Sequence, residues 1–314
     1  MSRWFLGVDG GQSSTSALIG DESGGVVGVG QAGPCNHVST AESQTRFKEA
    51  IGGAIRLATE AAGLTHVRFA GACLGLSGGP ADKEMLVREM IAAECYRVTT
   101  DATIALLGAN AGEPGVIAIA GTGSIAYGQN AEGRSARAGG WGYAFGDDGG
   151  AFDLVRQAVR AALRQEEGWG HATALHRALL EAAGAPDMND LLHRFYTPAY
   201  PRARIASYAK LVDEAAREGD AAARDILQSA AQALATLVAA VRRQLFERGD
   251  SARTSYIGGV FQSEILRERF AMLVELESDR PVHPPVHGPA AGALLGAYRL
   301  AGLDVQPSNA PAGV

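Results

Sequence analysis

The chain has 314 residues, with 28 Lys+Arg against 34 Asp+Glu and a formal net charge of −6. That length suits one large α/β unit or two domains, and an acidic balance without a basic block argues against nucleic acid, whose phosphates require clustered Lys and Arg. Glycine is enriched, 41 residues in all, whereas only three lysines occur (Lys48, Lys83, Lys210). None of them sits in a Gly-rich loop, which excludes a P-loop NTPase.

In chain order, residues 4–8 read as a strand, 9–14 as a Gly-rich turn headed by Asp9, and 15–19 as the returning strand. Val26–Ala32 continues as a third strand, and apolar residues at helical spacing (Phe47, Ile51, Ile55) place a helix over 42–62. A buried strand over Phe69–Leu76 ends in Ser77-Gly78-Gly79. A helix from about residue 81, a short strand entering Asp101 and a helix over 102–110 follow. The pattern then restarts: strand Gly115–Ala120, turn Gly121-Thr122-Gly123, returning strand 124–128. A strand–turn–strand unit thus occurs twice, which predicts an internal duplication with one unit opening each of two domains, 1–112 and 113–314.

The stretch 149–248 reads as helical and Ala-rich, broken at Pro186, Pro198 and Pro201. A strand over 254–257 then meets Gly258-Gly259, a helix covers 263–276, and a last helix, Pro289–Leu300, is free to pack back on the first domain. Residues 304–314 are expected to be disordered. The cysteines Cys35, Cys73 and Cys95 are odd in number and widely spaced, which predicts a reducing, cytoplasmic setting. The five apolar-type residues before Asp9 are too few for a secretory leader, and no run suits a membrane span.

Three short patterns compete for the chemistry. Gly28-x-Gly30-x-x-Gly33 matches a dinucleotide fingerprint but meets Pro34 instead of a helix, and Gly121-x-Gly123-x-x-Ala126 is followed by more hairpin. Gly75-x-Ser77-x-Gly79 matches a nucleophile elbow, but only His283 and His287 could complete its triad. The two Gly hairpins taken together explain more. Tight turns of Gly, Ser and Thr present backbone N–H groups and hydroxyls, which suit a polyphosphate. Without a lysine the phosphate charge requires Mg²⁺, and Asp9 can hold it directly or through water.

Asp9-Gly-Gly-x-x-x-Thr15 resembles the first phosphate motif of the sugar kinase/Hsp70/actin superfamily, Gly121-Thr-Gly123-Ser124 the second, and Ile257-Gly-Gly-Val-Phe261 its adenosine motif. Within it the chain is similar to N-acetylglucosamine kinases and the BadF/BadG-type ATPases. The matching residues are Gly33-Pro-Cys-Asn36, Leu76-Ser-Gly-Gly79, Thr99-Thr-Asp101-Ala and Gly139-Gly-Trp-Gly-x-x-x-Gly-Asp147. The resemblance implies a two-domain α/β fold, actin-like or ribonuclease H-like, with an interdomain cleft and a five-stranded mixed sheet in each domain.

It also implies ATP and Mg²⁺ as cofactors, a small amino sugar as partner, no membrane or nucleic-acid partner, and room for a homodimer. The reaction would be transfer of the γ-phosphate to a hexosamine hydroxyl, the 6-hydroxyl of N-acetylglucosamine first. Asp101 would be the catalytic base, the alternative from spacing alone being a helix N-cap. Asn36, Ser77, Gly78, Asp101, Thr122, Gly140, Trp141 and Asp147 would contact sugar, with a core anchor as the alternative for Trp141. Gly10, Gly11, Gln12, Ser13, Ser14, Thr15, Gly121, Thr122, Gly123, Ser124, Gly258 and Gly259 would contact nucleotide, and Asp148 would cap the next helix. Ala138 stands where animal-type kinases carry a cysteine, which keeps glucosamine and N-acetylmuramic acid as alternatives. A BadF/BadG-type activator ATPase and a non-catalytic sugar sensor are the other readings.

Overall fold

The computed structural model describes residues 3–35, 38, 40–79, 81–247 and 249–311. Its contacts divide the chain into two units, residues 1–115 with 284–314 and residues 116–283.

The first unit is built on β1 (Trp4–Gly10), β2 (Thr15–Asp21), β3 (Val26–Ala32), α1 (Ala41–Ala61), β4 (Phe69–Leu76), α2 (Glu84–Met90), β5 (Ala93–Thr100) and α3 (Asp101–Ala109). The sheet runs β3-β2-β1-β4-β5. β1, β2 and β3 form an antiparallel meander, while β4 and β5 add in parallel with β1. β4 is buried along its whole length, as expected for a central parallel strand. α1 starts at a capping box in which Thr40 and Ser43 satisfy each other's backbone. It lies so close on β3 that a Cβ at Gly28 would stand 2.1 Å from the Ala58 carbonyl, and one at Gly30 2.0 Å from that of Ala54. The Gly28-x-Gly30 pattern is therefore a helix-packing surface.

The second unit contains β6 (Gly115–Ala120), β7 (Ser124–Gln129), β8 (Ser135–Gly139), helices α4 (Ala151–Glu166), α5 (Ala174–Ala183), α6 (Met188–Phe195), α7 (Arg202–Ala206), α8 (Ala209–Arg217) and α9 (Ala221–Leu245), then β9 (Arg253–Ile257), α10 (Glu264–Ser278) and β10 (Val282–His283). Its sheet runs β10-β9-β6-β7-β8. Read from the other edge this is the order of the first sheet, so the duplication suggested by the two hairpins extends to the whole strand plan. One core joins α4, α5, α8, α9 and α10 to the inner face of the sheet.

The last helix, α11 (Pro289–Leu300), belongs to the first unit. Its Leu294 and Ala297 backbones press on Gly7 of β1 and Gly71 of β4, where a Cβ would meet them at 2.2 and 2.5 Å, and Tyr298 packs on Phe5 at 4.8 Å. The tail departs from the expectation of disorder. Ser308 bonds through its backbone to Val26 and Gly24 at 3.1 and 2.8 Å, a single bridge that pins the tail at the turn before β3.

Candidate functional site

The parallel register of the first sheet brings three distant segments to one edge. Gly10 lies opposite Leu76, and Leu76 opposite Thr100. The carboxyl ends of β1, β4 and β5 thus present Asp9–Gly10, Ser77 and Asp101 side by side. In open α/β sheets this edge is where ligands bind.

Asp9 is held in β1 with little room for water. Burial, and then the Asp101 carboxylate, push its pKa from 3.8 up to about 7. Asp101 opens α3, but it is not the cap. Thr100 takes that role by accepting from the Thr103 amide, while one Asp101 oxygen accepts from the Ala102 amide at 2.8 Å. Asp101 therefore keeps an oxygen for a ligand, and the N-cap alternative falls.

The hairpin between β1 and β2 closes through the Gly11 amide on the Ser14 carbonyl, 3.0 Å. Gln12, Ser13 and Ser14 are exposed at its tip. Thr15 is fully buried, and its hydroxyl donates to the Gly33 carbonyl at 2.9 Å, so it braces the hairpin instead of offering its hydroxyl to a ligand. Gly10 and Gly11 accept from the Ser77 and Cys35 amides at 3.0 and 2.9 Å, which locks hairpin, β3 exit and β4 exit together. Ser77 and Gly78 sit in this edge with left-handed backbone at Gly78 (φ 77°). No histidine bonds the Ser77 hydroxyl among the described residues, so the nucleophile-elbow pattern has no triad. Asn36 lies outside the described residues.

In the second unit the Gly121–Ser124 turn links β6 to β7. The Gly121 and Thr122 carbonyls receive the amides of Ala151 and Phe152 at 2.8 and 3.1 Å, which sets the first turn of α4 against it. Ser124 is buried and donates its hydroxyl to the Asp148 carbonyl at 2.7 Å; like Thr15 it holds its loop. Asp147 is 7% exposed with φ 62°, an unusual backbone for a non-glycine residue. Its carboxylate lies on Gly123, where a Cβ would meet it at 2.4 Å, and 3.9 Å from Arg202.

Asp148 does not cap α4. The Gly149 amide is taken by Asp153 at 3.0 Å instead, an acid in the first turn doing the work expected of the preceding loop. Gly140 donates its amide to Ser124 at 3.0 Å. The next residue, Trp141, is 66% exposed with Arg137 over its ring at 4.8 Å, so it does not serve as a core anchor.

Gly258 (φ 114°) abuts the Ala120 carbonyl, 2.2 Å from where its Cβ would be. Beside it, Gly259 and Gln262, with Gly121 and Thr122, line a cavity of about 430 Å³ closed by Lys210 and Asp213 of α8, a volume in the small-ligand range. One Asp213 oxygen pairs with Arg217 at 2.6 Å; the other is buried without a hydrogen-bond partner. Lys210 and Asp213 escaped sequence reading because one lysine and one aspartate in an Ala-rich helix form no motif.

Among the described residues no group of three His, Cys, Asp or Glu could enclose a metal. The buried Asp9 carboxylate fits a hard cation that keeps water or phosphate as its other ligands. Burial raises the Cys35 and Cys73 thiols to about 11 and about 12, so both are protonated at neutral pH. No helix among the described residues is long and apolar enough to cross a membrane.

Two sheets of matching strand order, each opening on a Gly-rich hairpin, define an actin-like ATPase fold. The chain belongs to the BadF/BadG/BcrA/BcrD ATPase family, whose profile matches residues 6–299. It is 32% identical over 267 residues to the N-acetylmuramic acid/N-acetylglucosamine kinase of Clostridium acetobutylicum, covering 83% of this chain and 86% of that one. It is also 32% identical over 272 residues to the N-acetyl-D-glucosamine kinase of Dictyostelium discoideum, covering 81% and 84%. The solved structure of an N-acetylglucosamine kinase candidate from Chromobacterium violaceum superposes with a TM-score of 0.76 at 27% identity, over 93% of this chain and 98% of that one.

Proposed function

We propose that the protein is an ATP-dependent amino-sugar kinase that transfers the γ-phosphate to a hexosamine hydroxyl, the 6-hydroxyl of N-acetylglucosamine or N-acetylmuramic acid first. The observation that carries this reading is the pair Asp9 and Asp101, close enough to interact, at the carboxyl edge of β1, β4 and β5.

Phosphoryl transfer passes through a loose transition state in which the acceptor hydroxyl loses its proton late. A carboxylate of ordinary basicity suffices there, chiefly by orienting the oxygen. Asp101 does this with the oxygen that the helix start leaves free, and accepts the proton. Asp9 would hold Mg²⁺, directly or through water, and the ion would supply charge neutralisation for the phosphates. The exposed Gln12, Ser13 and Ser14 offer donors to the phosphates, as do Thr122 and Gly123 in the second unit, while the Gly11 and Gly121 amides close their turns on Ser14 and Gly123. The cavity beside Gly258 and Gly259 takes the nucleoside. Ser77, Gly78, Trp141 and Asp147 contact the sugar, the indole covering its apolar face and the carboxylate its hydroxyls. A cytoplasmic enzyme, monomeric or homodimeric, is consistent with three unpaired cysteines.

The test is ADP release from MgATP with glucose, glucosamine, N-acetylglucosamine, N-acetylmannosamine and N-acetylmuramic acid. Turnover is expected with an amino sugar and is expected to fall about 10²–10⁴-fold in Asp101→Asn. ATP hydrolysis indifferent to sugar would overturn the proposal in favour of an activator ATPase, and sugar binding without turnover in favour of a sensor.

A further inference from the structure

Lys83 is one of three lysines in the chain, and its side chain is completely buried. It stands at the start of α2, where its carbonyl accepts from the Val87 amide at 3.0 Å. From this anchor the side chain runs back beneath the β4 exit. There Nζ donates to the Ser77 carbonyl at 2.8 Å and to the Gly79 carbonyl at 3.0 Å. Two carbonyls separated by one residue converge on one ammonium because Gly78 and Gly79 both adopt left-handed backbone, φ 77° and 88°, a pair of conformations that side-chain-bearing residues resist.

Burying an ammonium costs several kcal/mol unless it is well paired, and the carboxylate within reach is weakly placed: Asp82 lies 3.9 Å away and is half exposed. The Lys83 ammonium makes its two hydrogen bonds to backbone carbonyls. Its charge is spent on the loop. That loop is bound to the phosphate hairpin by the Ser77 amide on Gly10 and stands in register with the strand end that carries Asp101. Displacing Ser77–Gly79 therefore displaces the groups beside the acid pair, where about 1 Å matters.

We propose that Lys83 is a positioning residue for the acceptor loop: its buried ammonium draws the Ser77 and Gly79 carbonyls inward and so holds Ser77 and Gly78 in the geometry that receives the sugar. The assignment rests on the kinase reading above. A plain structural lysine would support the fold and both substrates alike; a positioning lysine acts first on the sugar, and on MgATP only as far as the Ser77–Gly10 bond carries the shift to the phosphate hairpin.

The experiment compares wild type with Lys83→Met, which keeps length and loses the donors, and with Lys83→Gln, which keeps a donor and loses the charge. KM is measured separately for the amino sugar and for MgATP. Affinity for a fluorescent ATP analogue and the melting curve are followed alongside. Loss of two charge-assisted hydrogen bonds should lower kcat/KM for sugar roughly 10- to 100-fold in Lys83→Met, less in Lys83→Gln, with a much smaller change in KM for MgATP and in analogue affinity. Sugar kinetics like wild type, equal losses for both substrates, or failure of both variants to fold would overturn the positioning role. If the wild type phosphorylates no amino sugar, the functional reading itself fails, and that outcome is separate from any effect of the variants.

Discussion

Asp9 provides a prediction that does not depend on catalysis. In the folded first unit its pKa rises from 3.8 to about 7, through burial first and the neighbouring Asp101 second. In the unfolded chain it returns to 3.8. A group whose pKa is raised by folding stabilises most when it is protonated, below pH 3.8, and that contribution is lost as pH rises through 7. Each pKa unit is worth 1.36 kcal/mol, so this carboxylate alone costs the protein about 4 kcal/mol between pH 4 and pH 8.

Asp9→Asn keeps the shape and cannot ionise. It should match wild type near pH 4 and exceed it by an amount that grows to about 4 kcal/mol by pH 8, a more stable protein with its metal contact removed. The assay is urea unfolding in metal-free buffer at pH 5, 6, 7 and 8. Trp4 fluorescence, in a Trp141→Phe, Trp169→Phe background, reports the first unit, since Trp4 is the tryptophan that lies in it. A difference between Asp9→Asn and wild type that stays flat with pH would refute the burial argument. A slope in Asp101→Asn as steep as in wild type would assign the whole effect to desolvation.

Other outcomes follow from particular contacts. Asp213→Ala removes the carboxylate that holds Arg217 at the wall of the cavity beside Gly259 and should raise KM for MgATP roughly tenfold while KM for sugar holds; a shift in sugar KM of equal size would refute the placement. Trp141→Ala takes away an exposed ring and should raise KM for sugar roughly fivefold to tenfold with no change in melting temperature. Gly28→Ala puts a methyl 2.1 Å from the Ala58 carbonyl and should destabilise the first unit by about 1–3 kcal/mol, read from the Trp4 transition. Activity per folded molecule should remain as in wild type.

What could be read in the sequence was what lies within a few residues of a turn. Asp9 with its glycines, the second hairpin at Gly121 and the Asp at the strand–helix junction before residue 102 each carry their chemistry in one short segment. The duplication was legible because the same local strand–turn–strand pattern repeats, while the strand order of the two sheets came only from the structure. What escaped was set by pairing across distance. Nothing local says that Gly10, Leu76 and Thr100 share a register. Hence the interaction of Asp9 with Asp101, which moves the Asp9 pKa, became visible only in the folded sheet. The sequence places the cap at Asp148 because helix starts are uncertain by a few residues; the structure begins α4 at Ala151, and Asp153, which carried no signal, takes the Gly149 amide. Thr15 and Ser124 matched phosphate motifs by identity, yet each hydroxyl turns inward to a carbonyl.

These two hydroxyls and Lys83 share a logic. Each is a polar group spent on the backbone of a glycine-bearing loop, and each loop exposes donors elsewhere: Ser13 and Ser14 beyond Thr15, Thr122 before Ser124, and Ser77 and Gly78 above Lys83. Glycine lets a loop approach a ligand, but its freedom costs entropy on ordering. A buried donor on the far side of the loop settles that cost during folding instead of during binding, as preorganisation requires. The Gly258-Gly259 loop, with φ 114° at its first residue, packs on the Ala120 carbonyl, and Arg267 donates to the Phe261 carbonyl just beyond it at 3.2 Å. The hydroxyl and ammonium braces fall on the loops expected to hold phosphate and sugar, where donor placement decides the rate.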